Sequence, residues 1–191
     1  TTLFRSAVFM DMGAITPPAG YDGARYVEET AEAVEAKESQ IMPRLFGTDG
    51  VRGLANRDLT ARLALDLGDA AVRVLGNSAV REGLPEGRRR ALIGRDTRVS
   101  GDFLASALCA GMSAGGFDVI DAGIIPTPGV AFLTSVLNVE MGAVISASHN
   151  PMPDNGIKFF ARGGFKLPDS KEDDIEAVLG QDWDRPTGAG V

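Results

Sequence analysis

From residue 43 onward, short apolar runs alternate with longer segments whose apolar residues recur at helical spacing, and few architectures accept that order. Residues 91–94, 117–120, 141–146 and 157–160 read as buried strands. Between the runs, Thr60 is placed to cap a helix carrying Leu63, Leu67, Ala70, Val74 and Leu75 on one face. Ser100 is placed to cap a second, with Leu104, Leu108 and Met112 inward and Gly115-Gly116 as its stop. Residues 126–137 read as a third helix with proline near its start, and 169–179 as an acidic fourth. This alternation predicts an α/β domain with a largely parallel sheet. In open sheets of that kind, ligands bind outside the carboxyl ends of the strands. Three polar segments fall there: 94–98, 123–128 and 146–151.

Composition narrows the function classes. A length of 191 residues supports one domain or at most two. The 19 basic against 26 acidic residues give a net charge of −7, which argues against a nucleic-acid binder. A single Cys allows no internal disulfide framework and predicts a reducing, cytoplasmic setting. No apolar run approaches the roughly 18 residues a membrane span needs. Residues 1–41 differ from the rest: Arg5, Arg25 and Lys37 stand against seven acidic residues. There, 24–37 reads as a helix with Tyr26, Val27, Ala31 and Val34 on one face and glutamates on the other, a solvated extension or a partner-binding helix.

Chemistry concentrates in Ser148-His149-Asn150-Pro151, which sets a hydroxyl beside the only imidazole of the chain. A hydroxyl with a proton-transfer group nearby is what covalent catalysis requires. The same residues also suit a turn stabilised by its own side chains, so both readings stand. No Gly-x-Ser-x-Gly elbow is present, and neighbours in extended chain point apart, which argues against His149 as the base for Ser148. The loop continues through Pro153-Asp154-Asn155-Gly156 into the strand bearing Lys158. Residues 47–53 read as a glycine-rich turn whose backbone N–H groups, with the Arg52 guanidinium, suit a phosphate or simply turn the chain. Arg95 and Arg98 flank Asp96-Thr97 at a strand end, placed to fork onto phosphate or to pair with Asp96. Cys109 reads as a small core residue. One His and one Cys exclude ordinary zinc spacing.

Together these segments resemble the α-D-phosphohexomutases. Residues 45–53 are similar to the family's opening motif and 94–98 to its second. Residues 145–151, followed by 154–160, resemble its phosphoserine loop. The wording is closest to the family's bacterial branch acting on glucosamine phosphates. The resemblance covers residues from Met42 on and leaves 1–41 as a non-family leader. It implies a three-layer α/β/α domain over 42–185 with a mostly parallel mixed sheet, and a linker to a second domain beginning at 186–191. By the same resemblance, Ser148 carries the phosphoryl group, with Ser146 a neighbour. His149 and Lys158 are proton-transfer groups or phosphate contacts. Arg52 holds the transferring phosphate, and Arg95 and Asn150 support substrate and phosphate. The substrate implied is a hexosamine phosphate, passing through a sugar 1,6-bisphosphate. Mg2+ is implied on a phosphate oxygen of Ser148, with aspartate ligands from an Asp-Gly-Asp loop that these residues lack. The expectation is a nucleophile domain that needs later domains, inactive or nearly so alone, from a protein homodimeric at full length. Another hexose-phosphate mutase and a non-catalytic stand-alone binding domain are the alternatives.

Overall fold

Alternate residues of the apolar runs go to opposite faces of one sheet, and both faces are covered. The computed structural model describes residues 44–81, 89–188 and 190, of which 77–81 as backbone only. The expected leader helix over 24–37 lies outside the described residues. The elements are β1 (Val51–Leu54), α1 (Ala61–Arg81), β2 (Arg90–Arg95), α2 (Gly101–Ala114), β3 (Asp118–Ile124), α3 (Thr127–Val136), β4 (Met141–Ile145), β5 (Asp154–Ala161) and α4 (Asp169–Val178). The sheet order is β1-β5-β4-β2-β3. Strand β2 pairs in parallel with β3 and β4, while β5 pairs antiparallel with both β4 and β1. Strand β5 alone therefore runs against the others, and the sheet is mixed but mostly parallel, as expected.

Side-chain alternation fixes the layers. Ala91, Ile93, Met141, Ala143, Ile145, Ile157 and Phe159 join the core under α1, α2 and α4, built with Leu67, Leu104, Leu108, Met112 and Ile175. Leu92, Val144 and Phe160 face the other way and pack with Val130 of α3. Among the described residues, no helix is long and apolar enough to cross a membrane.

Local signals behave unevenly. The Leu63 N–H donates to Thr60 Oγ1 at 3.1 Å, the expected cap. Gly116 takes φ +87° and closes α2, with its N–H on the Ser113 carbonyl. Ser100 does not cap α2. Its backbone is already helical (φ −70°, ψ −11°), whereas a capping side chain needs extended backbone to reach back. Its Oγ instead accepts from Nδ2 of the fully buried Asn155 at 2.9 Å, joining the entry to α2 to β5. The glycine-rich segment is only partly a turn. It reverses over 47–50, and Val51–Leu54 then forms the edge strand β1, four residues too short to announce itself by periodicity. Gly50 sits at φ +84° with no room for a Cβ against the Ile157 carbonyl oxygen, so only glycine makes that entry.

Candidate active site

Chain order places the site before any side chain is considered. From β2 the chain crosses to β3 on one flank, then returns over the sheet to β4 on the other. The crevice beyond the carboxyl ends of β2 and β4 is therefore a topological switch point, where open α/β sheets bind ligands. The loop after β2 holds residues 96–100, and the loop after β4 holds 146–153. They are stitched by the Asp96 N–H to the Ile145 carbonyl (3.0 Å), and the Ser146 N–H ties the second loop to the Gly156 carbonyl of β5 (2.9 Å).

Ser148 stands exposed at this crevice, in left-handed backbone at φ +51°. For a residue with a Cβ that conformation costs roughly 1–2 kcal/mol and persists only where surroundings impose it. It also removes the sequence argument that set Ser148 and His149 apart, because the chain here is not extended. Ser148 Oγ lies 3.4 Å from His149 Nδ1. With Nδ1 unprotonated the hydroxyl donates to it, a long contact of the kind that tightens when substrate is bound. Ser146 is turned to structural work: its Oγ donates to Asp96 Oδ2 (2.8 Å) and accepts the Ser148 N–H (3.1 Å).

Cations gather on the β1–β5 side. Register pairs Arg52 with Gly156 and Val51 with Ile157, which brings Arg52 and Lys158 together from two antiparallel strands. A Cβ at residue 156 would lie 2.8 Å from the Ser146 carbonyl and 3.0 Å from Arg52 Cγ, so glycine lets the arginine lie flat beside the loop. Arg52 Nη1 donates to Asn150 Oδ1 at 3.0 Å, and Asn150 Nδ2 donates on to Asp154 Oδ2 at 3.2 Å. Asp49 faces both cations at long range, 3.5 Å from Arg52 Nη2 and 3.6 Å from Lys158 Nζ. Among the described residues, Arg52 Nε is buried with no hydrogen-bond partner. Loose pairing and an orphaned donor are what a site for a further anion looks like. Sequence reasoning missed Asp49, whose role needs the β1–β5 pairing to become visible.

The second motif divides its two arginines. Arg95 pairs with Asp102 (2.8 Å) and Asp121 (3.6 Å), on the α2–β3 side. Arg98 turns to the serine loop and donates to the carbonyls of Ser148 (3.0 Å), Asn150 (2.8 Å), Pro151 (2.6 Å) and Asp154 (2.9 Å). The residue pattern offers both arginines to phosphate or to Asp96, and the family resemblance gives a supporting role to Arg95 alone. The phosphate-or-carboxylate ambiguity at this strand end resolves toward carboxylates for Arg95 and toward main chain plus Asp96 for Arg98.

Among the described residues no group of three or more His, Cys, Asp or Glu is placed to hold a metal ion. The described residues at this loop therefore offer Mg2+ no carboxylate cage of their own. Cys109 is half-buried, and burial together with nearby Asp121 pushes its thiol up to about 11, which suits the core role expected of it.

The family model for phosphoglucomutase/phosphomannomutase, alpha/beta/alpha domain I, matches residues 43–184. Phosphoglucosamine mutase of Bifidobacterium longum (strain DJO10A) is 90% identical over 150 residues, spanning 78% of this chain and 32% of that protein. Phosphoglucosamine mutase of Acidothermus cellulolyticus is 60% identical over 149 residues, with the same coverage. The chain thus spans about a third of the length of these relatives. Among solved structures, a putative phosphomannomutase from Thermus thermophilus superposes with a TM-score of 0.64 at 29% identity, over 78% of this chain and 33% of that one. A phosphoglucomutase/phosphomannomutase family protein from Burkholderia thailandensis gives 0.62 at 29% identity, over 77% and 32%.

Proposed function

Because the chain belongs to the phosphoglucomutase/phosphomannomutase family, we propose that it is the phosphoserine-bearing part of a phosphoglucosamine mutase. The observation that carries this reading is Ser148, exposed in strained backbone at the switch point, with the unpartnered Arg52 Nε and the loosely held Lys158 nearby. Relatives named for the glucosamine reaction reach 90% identity, whereas the solved structures named for phosphomannose or phosphoglucose stand at 29%, which favours the hexosamine substrate.

In this reading Ser148 Oγ carries a phosphoryl group. The 1-hydroxyl of glucosamine 6-phosphate attacks phosphorus. The new P–O bond forms as the P–Oγ bond breaks, the attacking hydroxyl's proton passes to a base, and the leaving Ser148 Oγ takes up a proton to become the free hydroxyl. The bisphosphate turns in the site, its 6-phosphate returns to Ser148, and glucosamine 1-phosphate leaves. Phosphoryl transfer needs little covalent help from protein and much positioning and charge neutralisation. Arg52 and Lys158 supply the second, by moving from Asp49 to the phosphate oxygens. In this reading His149 holds or moves a proton at Ser148 Oγ, a role supported by the 3.4 Å contact between them. Asn150 keeps Arg52 aligned, and Arg95 supports the site at longer range. Mg2+ on a phosphate oxygen would add positive charge during transfer, with its carboxylate ligands coming from outside the described residues. The reading carries domain limits of 42–185, a linker start at 186–191, and a cytoplasmic protein, homodimeric at full length, in which 1–41 is an extension.

The test is to map phosphate on the full-length protein from its source cells and to offer it glucosamine 1,6-bisphosphate labelled with 32P. Label on Ser148, absent from Ser148→Ala, with turnover of glucosamine 6-phosphate, is the expected result. Turnover with Ser148 unlabelled overturns the proposal.

A further inference from the structure

Arg98 differs from every other cation at the loop in having nothing left to give. A guanidinium carries five N–H donors. Nε donates to Asp96 Oδ2 at 3.1 Å, Nη1 to the carbonyls of Pro151 and Asp154, and Nη2 to those of Ser148 and Asn150. The side chain is only 8% exposed and its charge is met by Asp96. Asp96 is itself fixed: Oδ1 accepts the Arg98 N–H at 3.0 Å, and Oδ2 also accepts the Ser146 hydroxyl, which in turn receives the Ser148 N–H. Both main-chain polar groups of Ser148 thus end on one Asp96–Arg98 unit, some fifty residues away in the chain.

We propose that Arg98 is the positioning residue of the phosphoryl-transfer site: a saturated strut that holds Ser148 in its left-handed conformation and sets the reach of its Oγ, without contacting phosphate. This rests on the reading of Ser148 as the phosphoryl carrier. The chemistry favours a strut over a phosphate ligand on two counts. All five donors are spent on main chain and Asp96, so a phosphate contact would require the loop to let go. The acceptors also span residues 148 to 154, a spread that a planar fork can bridge and a single ammonium cannot. Four charge-assisted bonds to consecutive turns of one loop remove its freedom to relax Ser148 back into extended backbone. A nucleophile that must meet one substrate hydroxyl and, later, the opposite phosphate of the turned sugar needs such a fixed post.

The experiment compares Arg98→Lys and Arg98→Ala with the unaltered full-length protein, by steady-state kinetics on glucosamine 6-phosphate and by amide hydrogen exchange. The expected result for Arg98→Lys is a fall of about a hundredfold in kcat with KM changed by less than about threefold. Exchange over 147–154 should quicken by about tenfold or more while α1 keeps its protection, in both variants. Retained kcat with an unchanged loop overturns the proposal. So does a lowered kcat with normal loop protection, which would make Arg98 a direct substrate contact. Ser148→Ala with full turnover would sink the carrier reading instead, while the exchange data would still report whether Arg98 holds the loop.

Discussion

Arg98 and Arg52 reach the loop after β4 from opposite flanks of the sheet, and they are held in opposite ways. Arg98 comes from the β2 side with every donor occupied and its charge matched by Asp96. Arg52 comes from the β1 side with one firm bond to Asn150, a long contact to Asp49 and a buried Nε that finds no hydrogen-bond partner among the described residues. One arginine builds the loop and the other waits beside it. The difference shows that an arginine's function is read from its unspent donors, not from its distance to the reactive group.

The widest separation between the two flanks is expected in stability. Arg98→Ala strands four loop carbonyls and the Asp96 carboxylate, and should cost about 3–5 kcal/mol by denaturant unfolding of the 191-residue chain. Arg52→Ala, whose Nε already lacks a partner, should cost less than about 1 kcal/mol in the same assay. Equal losses would dissolve the contrast.

In phosphoryl transfer Arg52→Ala should lower the rate onto Ser148 by about a hundredfold, near the loss for one charge-stabilising donor. A rate within about threefold of the original would show that Arg52 is structural after all.

A smaller effect sharpens the same point. Asp49→Asn frees Arg52 and Lys158 from their shared carboxylate and should strengthen binding of inorganic phosphate by a few-fold, measured by calorimetry. Weaker binding would mean that Asp49 orients the cations instead of occupying them.

The smallest effect lies away from the site. Glu172 of α4 is buried, and burial raises its carboxyl above the usual range despite Lys166 and Arg44, with Asp169 and Asp173 adding to the rise. A raised acid favours the neutral form in the fold. Its contribution is therefore fully present below the unfolded-state carboxylate pKa and is lost as pH rises through the higher folded value. Glu172→Gln should flatten that part of the stability–pH curve, and an unchanged curve would show that Lys166 and Arg44 together offset burial.

What the sequence determined by itself is the local and the periodic. The apolar runs gave four of the five strands because each is long enough to show its pattern. Thr60 and Gly116 gave helix ends because a cap or a positive φ is settled within a few residues. The motif around Ser148 was visible because its residue types are adjacent in the chain. Tertiary structure decided everything that depends on who meets whom. It made Val51–Leu54 a strand through pairing with β5, turned Ser100 from a cap into an acceptor for Asn155, and brought Asp49 between Arg52 and Lys158. It also sent Arg95 to Asp102 and Arg98 to the serine loop, although the two lie three positions apart on the same strand end. A side chain with five donors has many possible partners within reach of its sequence, and only the packed sheet leaves one set of carbonyls where those donors point.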